Sequence, residues 1–142
     1  MSEFPVGLRM IQNSDTSIKI LIADDSEIVR REIRHVLSTR TEMAIVGEAG
    51  SYAQTIQMAC DLEPHVVVLD LHMPDETYFP PSQVKSFLNR GSQILAISVW
   101  DDEYSRESAE SIGATVFLGT MNLTNTLIPT ILQLCQKHAA AA

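Results

Sequence analysis

His65-Val66-Val67-Val68-Leu69-Asp70 is the strongest strand signal in the chain. It is short, apolar and rich in β-branched residues, the composition of a strand buried on both faces. Upstream, Ile18-Lys19-Ile20-Leu21-Ile22-Ala23 and Met43-Ala44-Ile45-Val46-Gly47-Glu48 read the same way. Downstream, so do Ile94-Leu95-Ala96-Ile97-Ser98 and the shorter Thr115-Val116-Phe117-Leu118. Helical patterns lie between them. Ser26 is an N-cap for a helix whose inward face is expected to carry Ile28, Val29, Ile33, Val36 and Leu37. A second helix runs from about Tyr52 to Asp61, with Ile56, Ala59 and Cys60 inward and Pro64 just beyond. A third carries Val84, Phe87 and Leu88 and stops near Gly91. A polar helix from about Asp102 to Ser111 precedes Gly113, and a last helix carries Leu127, Ile128, Ile131, Leu132 and Cys135.

Five buried strands alternating with five helices predict an α/β fold: a doubly wound, five-stranded parallel sheet with helices on both faces. In 142 residues there is room for one domain and one sizeable core. The expected division is a flexible N-terminal extension over residues 1–17, the folded domain over 18–138, and a tail or linker stub over 139–142.

Several function classes fall away on composition. The formal net charge of −8 repels a phosphate backbone, so direct nucleic-acid binding is not expected. No apolar run nears the roughly 20 residues of a membrane helix, and Met1–Ser17 lacks the features of a signal peptide. A cytoplasmic location follows as an expectation. Cys60 and Cys135 sit in apolar helical patterns and are expected as two buried thiols rather than a disulfide. His35, His65, His72 and His138 show no metal-ligand spacing with them.

In a doubly wound sheet, ligands sit beyond the carboxyl ends of the strands. The first strand ends in Asp24-Asp25, the third in Asp70, the fourth in Ser98 and the fifth near Gly119-Thr120. With the strand order 2-1-3-4-5, the first and third strands are neighbours and three carboxylates converge. Each like-charged pair in a partly shielded site costs on the order of several kcal/mol. A raised pKa or a bound cation relieves it, and an open, oxygen-only, anionic pocket suits Mg²⁺. A carboxylate there is also a nucleophile toward phosphorus, and Asp70, at the end of the central strand, is the best placed. Ser98 can donate a hydrogen bond to a phosphoryl oxygen. Each feature alone has a plainer reading: Asp24-Asp25 as helix N-terminal charge, Asp70 as a turn residue. Their joint placement is what points to a site.

The segments Ile20-Leu21-Ile22-Ala23-Asp24-Asp25-Ser26, Val67-Val68-Leu69-Asp70-Leu71-His72-Met73-Pro74, Ala96-Ile97-Ser98 and Gly113-Ala114-Thr115-Val116-Phe117-Leu118 resemble the receiver domains of two-component response regulators. The match runs from about Ile18 to Lys137, and Val46-Gly47-Glu48-Ala49 with Asp101-Asp102 is similar to regulators of the LuxR/NarL type. The resemblance implies the flavodoxin-like receiver fold and phosphorylation of Asp70 by a sensor histidine kinase or phosphotransfer protein. It implies Mg²⁺ held by Asp25 directly, Asp24 through water, Asp70 and the backbone carbonyl of His72. Ser98 would bind the phosphoryl group, and Phe117 would be the aromatic whose rotamer reports it, although a plain core aromatic is the simpler reading. Such a chain is a signalling switch rather than an enzyme. It presents a changed surface to a partner or to a C-terminal DNA-binding output domain, with a homodimer left open.

Three positions depart from that pattern. Thr120 stands where the family has a lysine, which predicts slower phosphorylation or weaker coupling. Asp75-Glu76-Thr77-Tyr78-Phe79-Pro80-Pro81 replaces a glycine-containing loop. Pro129 falls inside the expected last helix, where it favours a kink or a late start. The competing reading is a degenerate receiver acting as a phosphorylation-independent interaction module. A free-standing enzyme is disfavoured: His72 occupies the position where an aspartate phosphatase needs a second acid, and no glycine-rich phosphate loop is present.

Overall fold

The computed structural model describes residues 17–141, with side-chain surroundings to residue 136. The expected extension up to residue 16, the side chains of Lys137 and His138, and those of the tail lie outside the described residues. The elements in order are β1 (Ile18–Ala23), α1 (Glu27–Leu37), β2 (Met43–Ala49), α2 (Tyr52–Leu62), β3 (Val66–Asp70), α3 (Pro81–Leu88), β4 (Gln93–Ser98), α4 (Glu103–Ser111), β5 (Val116–Gly119) and α5 (Leu123–Ala141). Single 3₁₀ turns occur at Glu76–Tyr78 and Thr120–Asn122. The sheet is parallel throughout, in the order β2-β1-β3-β4-β5, as the alternation of apolar strands and helices requires.

The period-2 alternation of strand side chains divides the core in two. Ile20, Ile22, Val66, Val68, Leu95 and Ile97 face α1 and α5, meeting Ile33, Val36, Leu37, Leu127, Ile131 and Leu134. Leu21, Ala23, Val67, Leu69, Ile94 and Ala96 face α2, α3 and α4, meeting Tyr52, Val84, Leu88 and Ala109. Both faces of the central strands are thus dry, and each fully buried Val, Leu or Ile side chain contributes about 1.5–3 kcal/mol. That double burial holds the three central strand ends in register, so the residues just past each strand share one edge.

Several expectations on packing need correction. Ile28 is 76% exposed. The apolar stripe of α1 runs Val29, Ile33, Val36, Leu37, at helical spacing, and Ile28 falls beside it rather than on it. Cys60 is exposed, because α2 turns Tyr52 and Thr55 into the core and leaves Cys60 on the outer side. Both cysteines are free, Cys135 being half-buried, so the expected pair of buried thiols is not found. Helix α5 already runs from Leu123 and continues through Pro129, so there is no late start. Pro129 lies on an exposed side of α5, where the Asn125 carbonyl deprived of its usual donor can face water.

The turns are local in origin. Ser26, Ser51 and Asp102 each accept a hydrogen bond from the backbone N–H three residues on, at 3.3, 3.1 and 2.8 Å, capping α1, α2 and α4. Beyond α4, Gly113 takes φ +86°, and a Cβ there would lie 2.9 Å from Lys85 Cγ. Gly113→Ala is therefore expected to destabilise the fold by about 1–2 kcal/mol, read as a lower urea midpoint with an unchanged slope.

Candidate metal centre

The carboxyl edge of the sheet gathers Asp24, Asp25 and Asp70. One carboxylate oxygen from each lies within 4.8 Å of the others. They come together because β1 and β3 are paired, Ala23 opposite Leu69, so that Asp24-Asp25 leave the sheet beside Asp70. Asp24 is 4% exposed. Its Oδ1 accepts from the Ser26 N–H at 2.8 Å, its backbone N–H donates to the Ala49 carbonyl at 2.9 Å, and Arg30 Nη1 donates to its carbonyl. Asp25 is exposed and Asp70 partly buried. Asp70 Oδ1 accepts from the His72 N–H at 3.2 Å.

The electrostatics reflect this crowding. Burial, followed by the charge of Asp24 and the Asp25 carboxylate beside it, pushes the Asp70 carboxyl up to about 8, against an opposing contribution from the His72 N–H. Burial raises Asp24 as well, with the Ser26 N–H and Arg30 acting in the opposite direction. Arg30 offsets the cluster's charge only in part, its guanidinium being shared with Glu27 at 2.8 Å and Glu48 at 3.3 Å. The cleft is lined by Asp24, Asp25, Ser26, Val29, Asp70, His72, Val99, Trp100 and Thr120, with a volume of about 270 Å³. Among the described residues, neither Lys nor Arg lines it. Three converging carboxylates in an open cleft fit a hard divalent cation such as Mg²⁺.

The other expected residues divide between the cleft and the core. Ser98 is 1% exposed and ends β4, with its Oγ accepting from the Trp100 N–H at 3.1 Å. Thr120 forms part of the cleft wall. The His72 ring is held edge-on to Trp100 (centroids 5.5 Å apart) and stacked on Tyr104 (6.0 Å), with Nδ1 3.6 Å from Glu76. Phe117 is not in the cleft. It pairs in register with Ala96 and packs, half-buried, against the core on the α2–α4 side.

A profile of the response regulator receiver domain matches residues 20–120. The chain belongs to the response regulator receiver family. Among curated relatives, the transcriptional regulatory protein YdfI of Bacillus subtilis is 25% identical over 114 residues, covering 80% of this chain and 53% of that protein. The response regulator protein VraR of Staphylococcus aureus is 33% identical over 88 residues, 61% of this chain and 42% of VraR. The chain thus spans about half the length of the transcriptional regulators it matches. Among solved structures, the signal receiver domain of NarL from Mycobacterium tuberculosis superposes with a TM-score of 0.75 at 23% identity, over 84% of this chain and 97% of that one. The receiver domain of RcsB from Salmonella enterica serovar Typhimurium, solved with the phosphomimetic BeF3−, gives 0.72 at 22%, over 85% and 89%. At these identities the likeness of the structures speaks for the fold.

Two residues of this receiver carry no recognisable signal in the sequence patterns. Tyr52 is buried, and its hydroxyl donates to the Asp70 carbonyl at 2.8 Å. Burial and the acids around it, Asp70 first, push its phenol above the ordinary range, so it remains a donor. Asp75 accepts from the backbone N–H groups of Tyr52 at 3.0 Å and Ala53 at 3.1 Å. The usable clue is positional: Tyr52 comes shortly after the end of β2, on the same edge as the other strand ends. Val99 and Trp100 share that clue, directly after Ser98, and both are exposed at the cleft.

Asp70 keeps its proton in the folded receiver well above the pH at which an unfolded carboxyl, near 3.8, releases it. The fold therefore loses stability as pH rises from about 4 toward about 8. Asp70→Asn removes this effect. Without divalent cations, the variant is expected to match the parent near pH 4 and to exceed it by a few kcal/mol near pH 8, and added Mg²⁺ should close the gap. Urea unfolding across that range checks both the direction and the closure.

Proposed function

We propose that this receiver is phosphorylated on Asp70 by a partner histidine kinase or phosphotransfer protein, in a Mg²⁺-dependent transfer that changes the surface shown to an output domain or partner. The convergence of the Asp24, Asp25 and Asp70 carboxylates, with one oxygen of each within 4.8 Å, carries the reading. An Asp70 oxygen attacks the phosphorus, the bond to the donor's leaving group breaks, and an acyl phosphate forms. Asp25, Asp24, Asp70 and the His72 carbonyl are the groups that would hold Mg²⁺, whose charge would offset that of the phosphoryl oxygens. Ser98 uses an Oγ lone pair on the Trp100 N–H and keeps its own proton for a phosphoryl oxygen. The RcsB receiver, similar in fold, has been solved in the presence of a phosphomimetic, which is in keeping with a phosphorylated state of this fold. Relatives about twice as long, named as transcriptional regulators, support a role in which a further domain executes the response.

Thr120 tempers this reading without displacing it. A hydroxyl lines the cleft where the family has a lysine, and it supplies no charge for the transferred group. The surrounding acids remain, so the transfer should be intact but slow.

Incubation with a small-molecule phosphodonor and Mg²⁺ is expected to add the mass of one phosphoryl group, absent in Asp70→Asn and in EDTA. An unchanged intact mass in the parent would count for the interaction-module reading. Thr120→Lys should phosphorylate roughly tenfold faster, equivalent to about 1.4 kcal/mol of transition-state stabilisation, within what one added charge supplies in a partly shielded site. Equal rates for parent and variant would show that the missing lysine is not what limits transfer.

A further inference from the structure

The loop after β3 lacks the glycine of the family pattern, and its shape is set instead by the first turn of α2. Three hydrogen bonds tie it there. Tyr52 Oη donates to the Asp70 carbonyl at 2.8 Å, and the backbone N–H groups of Tyr52 and Ala53 donate to the two oxygens of Asp75 at 3.0 and 3.1 Å. The Asp75 bonds satisfy amides that the start of a helix otherwise leaves open. The Tyr52 bond satisfies a carbonyl beyond the last β1–β3 pair, Ala23 with Leu69. Between the two anchors lie Leu71, His72, Met73 and Pro74. Leu71 and Met73 are buried, and the Leu71 N–H reaches the Ile97 carbonyl at 3.2 Å. The backbone of His72 is therefore fixed from both sides by Tyr52 and its neighbour Ala53.

We propose that Tyr52 is a positioning residue for the metal centre: its hydroxyl, working with the clamp on Asp75, holds the Asp70–His72 backbone where its oxygens can serve a divalent cation. This rests on the reading of Asp24, Asp25 and Asp70 as a Mg²⁺ site. Groups that orient metal ligands typically change affinity by about 10–100-fold when removed. Tyr52 acts one step from the ligands, so the low end of that range applies.

Titration of the full chain with MgCl2 alone, followed by amide chemical shifts at 25 °C, tests it. Tyr52→Phe keeps the buried ring and removes only the hydroxyl. It is expected to raise the Mg²⁺ dissociation constant about tenfold, while Tyr78→Phe, on the exposed side of the same loop, leaves it unchanged. Asp75→Asn should weaken Mg²⁺ in the same direction, and it carries the test should Tyr52→Phe not fold. A dissociation constant equal to the parent's in the folded variants, with only the melting temperature in EDTA reduced, would assign the hydroxyl a purely structural role and overturn the proposal. A parent chain that shows no Mg²⁺-dependent shifts at Asp24, Asp25 or Asp70 would instead overturn the metal reading itself, and this inference with it.

Discussion

Like charge held at close range is the constraint on which this receiver is organised. Three carboxylates would drift apart in a flexible chain. Here they are carried on the ends of β1 and β3, two adjacent strands packed on both faces by helices. Burial first, and the neighbouring carboxylates after it, raise the proton affinity of Asp70 and Asp24, and the same crowding is what makes the edge attractive to a hard cation. Stability and chemistry therefore oppose one another locally: the core supplies the free energy with which the acidic edge is kept together.

Much of this is legible in the sequence because it depends on patterns with a simple period. Fully apolar strands alternating with amphipathic helices admit few topologies, and the carboxyl-edge rule then selects Asp24, Asp25, Asp70 and Ser98 without reference to distance. The failures have a common cause. Ile28 and Cys60 read as inward because they are apolar and lie near the stripe, yet a helix buries only one angular sector, and a neighbour one position off faces solvent. Pro129 signals a broken hydrogen bond but says nothing of whether the freed carbonyl can reach water.

Tyr52 and Asp75 are illegible for a different reason. Their roles come from contacts between the first turn of α2 and the loop after β3, 18 to 23 residues apart in sequence, made through one phenol and one carboxylate. Nothing in the composition of either segment announces them. As sequence, Asp75-Glu76-Thr77-Tyr78-Phe79-Pro80-Pro81 is only an acidic replacement for a glycine turn. In the fold its first acid caps a helix, its middle forms a 3₁₀ turn, and Pro81 opens α3 at a position where a missing N–H does no harm. A loop without glycine takes its shape from side-chain hydrogen bonds.

The chain holds a single tryptophan, and it stands at this edge. Trp100 is 59% exposed, its backbone N–H rests on Ser98, and its indole meets the ring of His72, two positions after Asp70. Light emitted by this protein on excitation of its indole thus originates beside the acidic cleft and nowhere else. Any event that draws on the Ser98 hydroxyl or shifts His72 alters the surroundings of that one fluorophore, so the site comes with its own optical gauge, with no label to attach.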